Sequence, residues 1–177
     1  AKYSGPATIR SRLQHFALDR LSLDEAKDFL RSQQLQLSDK QISLLLNLAN
    51  NMPLTAIEIA QSAWVEQRSV FLNDWFKLVS EKNMPLHYVN KWSKNLPFSD
   101  LMIMFEYLLG DIVAFKLNQE LKNTDLNFQD LAACYPLEIL FEIYSELQNY
   151  KLLISQNVQN ALVLDQLFIK LMYVQLC

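Results

Sequence analysis

Two glycines, Gly5 and Gly110, and five prolines are all that punctuate 177 residues of this chain. Sheet-rich folds turn roughly every ten residues, and their turns draw on Gly and Pro for backbone angles that other residues avoid. Helices joined by short polar links make no such demand. Because 51% of the residues are apolar, the chain can also bury a substantial core. We therefore expect an all-α protein, built as one domain or two small ones.

Apolar spacing fills in the helices. Residues 1–20 lack helical periodicity, and Thr8, Ile9 and Phe16 suit a strand parted from its sheet, so an extended arm is expected there. Ser22 with Glu25 predicts a capping box, in which hydroxyl and carboxylate each satisfy a free backbone N–H. Leu23, Ala26, Phe29 and Leu30 share the following face. Ser38 with Gln41 repeats the device ahead of Ile42, Leu45, Leu46 and Ala49, and Pro53 suits the first turn of a third helix. The link to a second, larger unit falls near Ser62.

Beyond Trp64 the predicted helices lengthen. Val65, Arg68, Phe71, Leu72, Trp75 and Val79 follow helical spacing, Asn83-Met84-Pro85 breaks the chain, and Leu86, Val89, Trp92 and Leu96 resume it. After a break at Asn95 to Ser99, the stretch from Leu101 to Leu117 is apolar nearly all round, as in a bundle centre or an interface. The polar run Asn118 to Asn127 is the best candidate for a mobile loop. Pro136 opens a helix carrying Leu137, Leu140, Phe141, Tyr144, Leu147 and Lys151, and a last helix from near Asn157 carries Ala161, Leu164, Leu167, Phe168 and Leu171.

The net charge of −3 is unevenly spread: residues 1–40 hold seven Lys or Arg against five acids, and residues 41–177 hold nine against fourteen. A grip on phosphate backbones needs a clustered basic face, so the larger part is a poor candidate for holding DNA unaided. A protein partner fits better. Cys134 and Cys177 have no Cys or His neighbour at metal-ligand spacing and read as reduced thiols. No run reaches the roughly 18 apolar residues that span a bilayer.

Candidate chemistry is sparse. Glu138, Glu142 and Glu146 form one ridge at helical spacing, read as a solvated face, with docking of a basic surface as the alternative. His15 and His87 stand alone, without a nucleophile in any recognisable motif. Trp64, Phe71, Trp75, Phe76, Tyr88 and Trp92 could stack on bases, but at helical spacing and without interleaved basic residues they read as core.

The start of the chain, Gly5-Pro6-Ala7-Thr8-Ile9-Arg10-Ser11-Arg12-Leu13-Gln14, runs directly into the helical region opened by Ser22-Leu23-Asp24-Glu25. It resembles the Pro-x-Thr-x-Arg-Ser-Arg-Cys segment that ends the nucleotide-binding domain of bacterial DNA polymerase III clamp-loader subunits, with Leu13 in place of the cysteine. Trp92, the run Leu108-Leu109-Gly110-Asp111-Ile112-Val113 and the closing run Asn157 to Leu167 are similar to the collar of the family's delta prime subunit. Active relatives carry an arginine at the start of the third lid helix, where this chain reads Asn50-Asn51-Met52-Pro53. That departure fits the delta prime type, which does not hydrolyse ATP.

The resemblance implies a remnant of an AAA+ nucleotide-binding domain at 1–20, a three-helix lid at 21–62 and a collar of about five helices at 63–177. With no Gly-x-x-x-x-Gly-Lys-Ser/Thr phosphate cradle, the chain reads as the C-terminal part of a longer protein. Arg12, with Ser11, would act as an arginine finger in trans, its planar and permanently charged guanidinium suiting a transferred phosphoryl group. Neither cofactor nor metal is implied. The implied setting is cytoplasmic, without a membrane. The chain would not be an enzyme alone but a stator in the DNA-directed DNA polymerase (nucleotidyltransferase) holoenzyme that serves DNA replication. Its partners would be the gamma or tau and delta subunits of a hetero-pentamer, and through that ring the sliding clamp and primed DNA. Leu101, Phe105, Asp111, Leu164, Leu167, Phe168 and Leu171 are the implied subunit-interface residues, with the last helix packed on the helix from Leu101. A gamma- or tau-like or other AAA+ ATPase C-terminal region, and an unrelated helical scaffold for protein–protein interaction, are the alternatives.

Overall fold

The computed structural model describes residues 21–33, 35–82, 84–154 and 160–172. The fold is all-α, and no strand occurs among the described residues. The chain divides into two compact units, residues 1–62 and 63–177. The extended arm expected at 1–20 lies outside the described residues.

In the first unit, α1 (Leu23–Ser32), α2 (Asp39–Leu48) and α3 (Pro53–Gln61) pack against one another. Both capping boxes form: Ser22 N–H donates to Glu25 Oε2 at 2.8 Å and Ser38 N–H to Gln41 Oε1 at 2.8 Å, while each serine hydroxyl accepts the N–H three residues on. Pro53 occupies the first turn of α3, where its missing N–H removes nothing. Ala26, Leu30, Ile42, Leu45, Leu46, Ala49 and Ile59 are buried, whereas Leu23 is about half exposed. The turn from α2 to α3 is tight: Asn50 and Asn51 have φ of 53° and 61°, a left-handed pair that asparagine tolerates better than most residues. Exposed Arg31 bridges Asp28 and Asp39, a surface arrangement that contributes little.

The second unit opens with a 3₁₀ turn at Val65–Gln67 and continues with α4 (Arg68–Ser80), α5 (Pro85–Asn95), α6 (Phe98–Lys116), α7 (Gln129–Ala133), α8 (Leu137–Ile154) and α9 (Asn160–Met172). Six helices stand among the described residues of this unit, where about five were expected. The extra one is α7, a single turn too short to carry a periodic signal. Helix α6 also resumes sooner than expected, at Phe98, with the break confined to Leu96 and Pro97. Its length and its apolar circumference make it a central element, packed on α4, α7 and α8. The last helix packs chiefly on α5 and α8, where packing on the helix from Leu101 was expected.

An aromatic cluster fills the centre of this unit. Phe71 meets Trp92 edge-on with ring centroids 4.9 Å apart, Phe105 at 6.0 Å and Phe168 at 6.3 Å, while Trp75 stacks on Phe105 at 4.8 Å. The polar atoms of these rings are satisfied inside the core. Trp75 Nε1–H donates to the Tyr135 hydroxyl, which donates in turn to the Leu171 carbonyl, each at 2.8 Å. Trp92 Nε1–H donates to Asp74 Oδ2 at 3.0 Å, and Lys91 pairs with the same carboxylate. Burial pushes the Tyr135 phenol well above its ordinary value, so it remains a donor.

Tyr135→Phe therefore leaves an indole N–H and a carbonyl buried without partners, a loss of about 1–3 kcal/mol. Urea unfolding should show it as a lowered midpoint at unchanged slope. Trp75→Phe added to Tyr135→Phe should cost less than the two changes separately, because they act on one hydrogen-bonded chain.

Candidate interaction surface and the polar cluster beneath it

The implied interface residues that can be located are core residues. Leu101, Phe105, Asp111, Leu164, Leu167, Phe168 and Leu171 are each no more than 2% exposed. They are thus unavailable to a neighbouring subunit in this conformation, which corrects their assignment as contact residues. The cause is plain: an apolar stripe at helical spacing looks the same whether a helix of the same chain or of another covers it. The second unit's surface instead presents Val70 on α4, Met84 and Leu86 at the start of α5, Ile103 and Phe115 on α6 with Leu117 just past its end, Phe141, Tyr144 and Leu152 on α8, and Leu162 and Ile169 on α9. Ser11 and Arg12 lie outside the described residues, as does His15.

Asp111 is a structural carboxylate. It accepts the N–H groups of Lys122 at 2.9 Å and Asn123 at 2.7 Å, and the Asn123 side-chain amide at 2.8 Å. Asn123 is fully buried, and its Oδ1 accepts Arg68 Nη1–H at 2.6 Å. Arg68 also forks onto both Asp125 oxygens at 2.9 and 2.8 Å and donates from Nε to the Val65 carbonyl. The Asn118 to Asn127 segment is therefore tied down at its middle, not the loose loop its composition suggested. Position 68 sits at core spacing, and an arginine there signals a buried partner that periodicity cannot identify.

Beside this cluster α6, α8 and the segment after Leu117 enclose a cleft of about 420 Å³. Tyr107, Gly110 and Ala114 line it from α6 and Tyr144 from α8, with Glu106, Glu120 and Lys122 around them. Gly110 is exposed with nothing within 4 Å of where a Cβ would stand, so the floor is open at mid-helix. Lys122 lies over the Tyr107 ring, which also stacks with Trp64, and Glu106 takes Lys151 and Gln148 as partners. Burial lowers the Lys151 ammonium pKa and raises that of the Tyr107 phenol. The lining holds no serine, threonine, cysteine or histidine; of its three carboxylates Glu106 and Asp111 are already hydrogen-bonded, and Glu120 is exposed at the rim. Among the described residues no three His, Cys, Asp or Glu gather to hold a metal ion.

The acidic ridge is partly neutralised. Lys170 of α9 reaches Glu146 at 3.3 Å and Glu142 at 3.5 Å, which raises the lysine pKa and leaves Glu138 as the ridge's open end. Trp64, Phe71, Trp75, Tyr88 and Trp92 are buried, which excludes base stacking by these five rings and bears out their core reading, whereas Phe76 is only half-buried. His87 is exposed against the Tyr88 ring. Cys134 is buried just after α7, and the chain's other cysteine, Cys177, lies outside the described residues. No described helix is long and apolar enough to cross a membrane.

The chain matches no protein-family model, no curated protein and no solved structure.

The polar cluster makes a pH-dependent contribution with a defined sign. Burial alone would raise the Asp125 carboxyl, but hydrogen bonds and charge from Arg68 outweigh it and hold that carboxyl below its ordinary value. A group with a depressed folded pKa stabilises fully above its unfolded value, near 3.9 for aspartate, and loses that contribution as pH falls through the folded one. Between about pH 5 and pH 3 the urea midpoint should fall more steeply in the wild type than in Asp125→Asn. Arg68→Met should cost about 2 kcal/mol at neutral pH, since it strands Asn123 and a half-exposed carboxylate together. Equal pH slopes in Asp125→Asn and the wild type would remove the linkage.

Proposed function

We propose that this chain is the lid and collar region of a clamp-loader subunit of the delta prime type, an assembly element without hydrolytic activity of its own. The observation that carries it is an order along the chain. The Pro6-x-Thr8-x-Arg10-Ser11-Arg12 segment leads directly into a small three-helix unit, and a larger helical unit follows. Two further features support the reading. The turn into α3, Asn50-Asn51-Met52, and the first residue of α3, Pro53, include no arginine that could touch a nucleotide phosphate. The larger unit displays exposed apolar residues on five helices, α4, α5, α6, α8 and α9, area available for protein contacts.

In this role the larger unit joins gamma or tau and delta subunits in a five-membered ring, and the ring places a sliding clamp on primed DNA. Arg12 reaches across to a neighbouring ATPase site, where a fixed guanidinium stabilises charge on the transferred phosphoryl group. Contacts to the neighbours then fall to exposed residues such as Ile103, Leu117 and Ile169, since the buried positions are already occupied by the unit's own packing.

Light scattering on a sizing column, with the chain mixed with gamma and delta subunits from the same source, tests the assignment. A defined hetero-oligomer is expected, and Arg12→Ala in the complete ring should lower clamp-stimulated ATP turnover several-fold without dissolving it. Separate elution at low salt would reject the clamp-loader assignment in favour of an unrelated helical scaffold.

A further inference from the structure

Charge in the second unit is segregated. Residues 68–95, the α4–α5 hairpin, carry Arg68, Lys77, Lys82, Lys91 and Lys94 against Asp74 and Glu81, while residues 96–172 carry four lysines against ten acids. Arg68 and Lys91 are spent on Asp125 and Asp74. Lys82 and Lys94 are exposed and make no ion pair among the described residues. Between them Met84 is 74% and Leu86 56% exposed, at the head of an outward α5 stripe formed by Leu86, Asn90 and Lys94 at four-residue spacing. Helix α5 contains no acidic residue at all.

The complementary surface exists on the same unit. On α8, Glu138, Phe141, Glu142 and Ser145 fall at i, i+3, i+4 and i+7, all exposed, and Phe141 is 50% accessible. Glu138 has no ion-pair partner among the described residues. Helix α9 packs on both α5 and α8 and so separates the two stripes. One copy cannot bring them together while α9 lies between, but two copies can.

We propose that the chain associates with a second copy of itself head to tail, with the Lys82–Lys94 face of one molecule on the Glu138–Glu142 face of the next. Met84 and Leu86 pack on Phe141, and the flanking lysines meet the glutamates. Protein is favoured over nucleic acid as the occupant because the centre of the basic face is a pair of unbranched and branched apolar side chains with no hydrogen-bonding capacity. Such a contact joins two different patches, so it propagates with concentration instead of closing at a dimer. It is small and charge-steered, and therefore weak and sensitive to salt. The proposal does not rest on the clamp-loader assignment, since it concerns the isolated chain.

Sedimentation velocity on the full chain at about 0.01 M salt, where the Debye length is about 30 Å, tests it. The weight-average coefficient should climb with protein concentration and return to the monomer value at about 0.3 M salt. Lys82→Glu/Met84→Ser/Lys94→Glu removes only the basic face, and Glu138→Lys/Phe141→Ser only the acidic one. Each should stay monomeric with an unchanged far-ultraviolet spectrum. Their equimolar mixture keeps one intact face on each molecule and should give 1:1 dimers that grow no further. A wild type monomeric at every concentration, association that survives both sets of substitutions, or a mixture that stays monomeric would overturn the proposal. Lysine-dependent retention on anionic vesicles or duplex DNA by a chain that never self-associates would overturn it too. If either triple or double variant loses its spectrum, Lys94→Glu and Glu138→Lys alone should each weaken association at least threefold, and no weakening would count against the idea.

Discussion

The second unit is organised around one ring. Phe71 of α4 meets Trp92 of α5, Phe105 of α6 and Phe168 of α9, so four helices share a single point of contact. Edge-to-face and offset geometries at these separations add directional preference to ordinary apolar burial. Indole N–H groups carried into such a core must find acceptors, and they do so in ways that extend the tie. Through Tyr135, Trp75 reaches the Leu171 carbonyl near the end of α9, and Trp92 reaches Asp74. The same rings that supply the packing thus also supply the hydrogen bonds that fix the helices' register.

The polar cluster around Asp111 solves a different problem. The segment between α6 and α7 is rich in Asn and otherwise polar, with few apolar residues to hold it by burial. It is held because α6 buries a carboxylate and α4 buries a guanidinium facing it, and the backbone N–H groups of Lys122 and Asn123 complete the arrangement. Buried charges that are fully paired and hydrogen-bonded set geometry more than they add stability. Here they seat the wall of the cleft beside Tyr107 and Gly110.

Helix positions and the three-helix unit were legible because capping boxes, Pro53 and apolar spacing are local signals that depend on neighbours three or four residues away. Helix α7 was not, since five residues cannot show a period. The tied segment after Leu117 was misread for a related reason. Composition reports only that a segment lacks apolar anchors, while its anchors, Asp111 and Arg68, lie 12 and 55 residues from Asn123. Arg68 stood at core spacing in plain view. A lone arginine there demands a partner, but the identity of that partner is a property of the tertiary fold.

The misassigned interface follows from a deeper symmetry between folding and assembly. A stripe such as Leu164, Leu167, Phe168 and Leu171 states that something apolar will cover it, not whether the cover belongs to the same chain. Once α5 and α8 supply the cover, recognition passes to side chains at the margins of the helices, where apolar area is small. Small apolar contacts discriminate poorly, so specificity must come from the charges around them. That requirement directs attention to the features of this unit that periodicity ignores: Lys82 ahead of α5 and Lys94 at its end, which have no carboxylate partner among the described residues, and glutamates on α8 of which Lys170 neutralises only part.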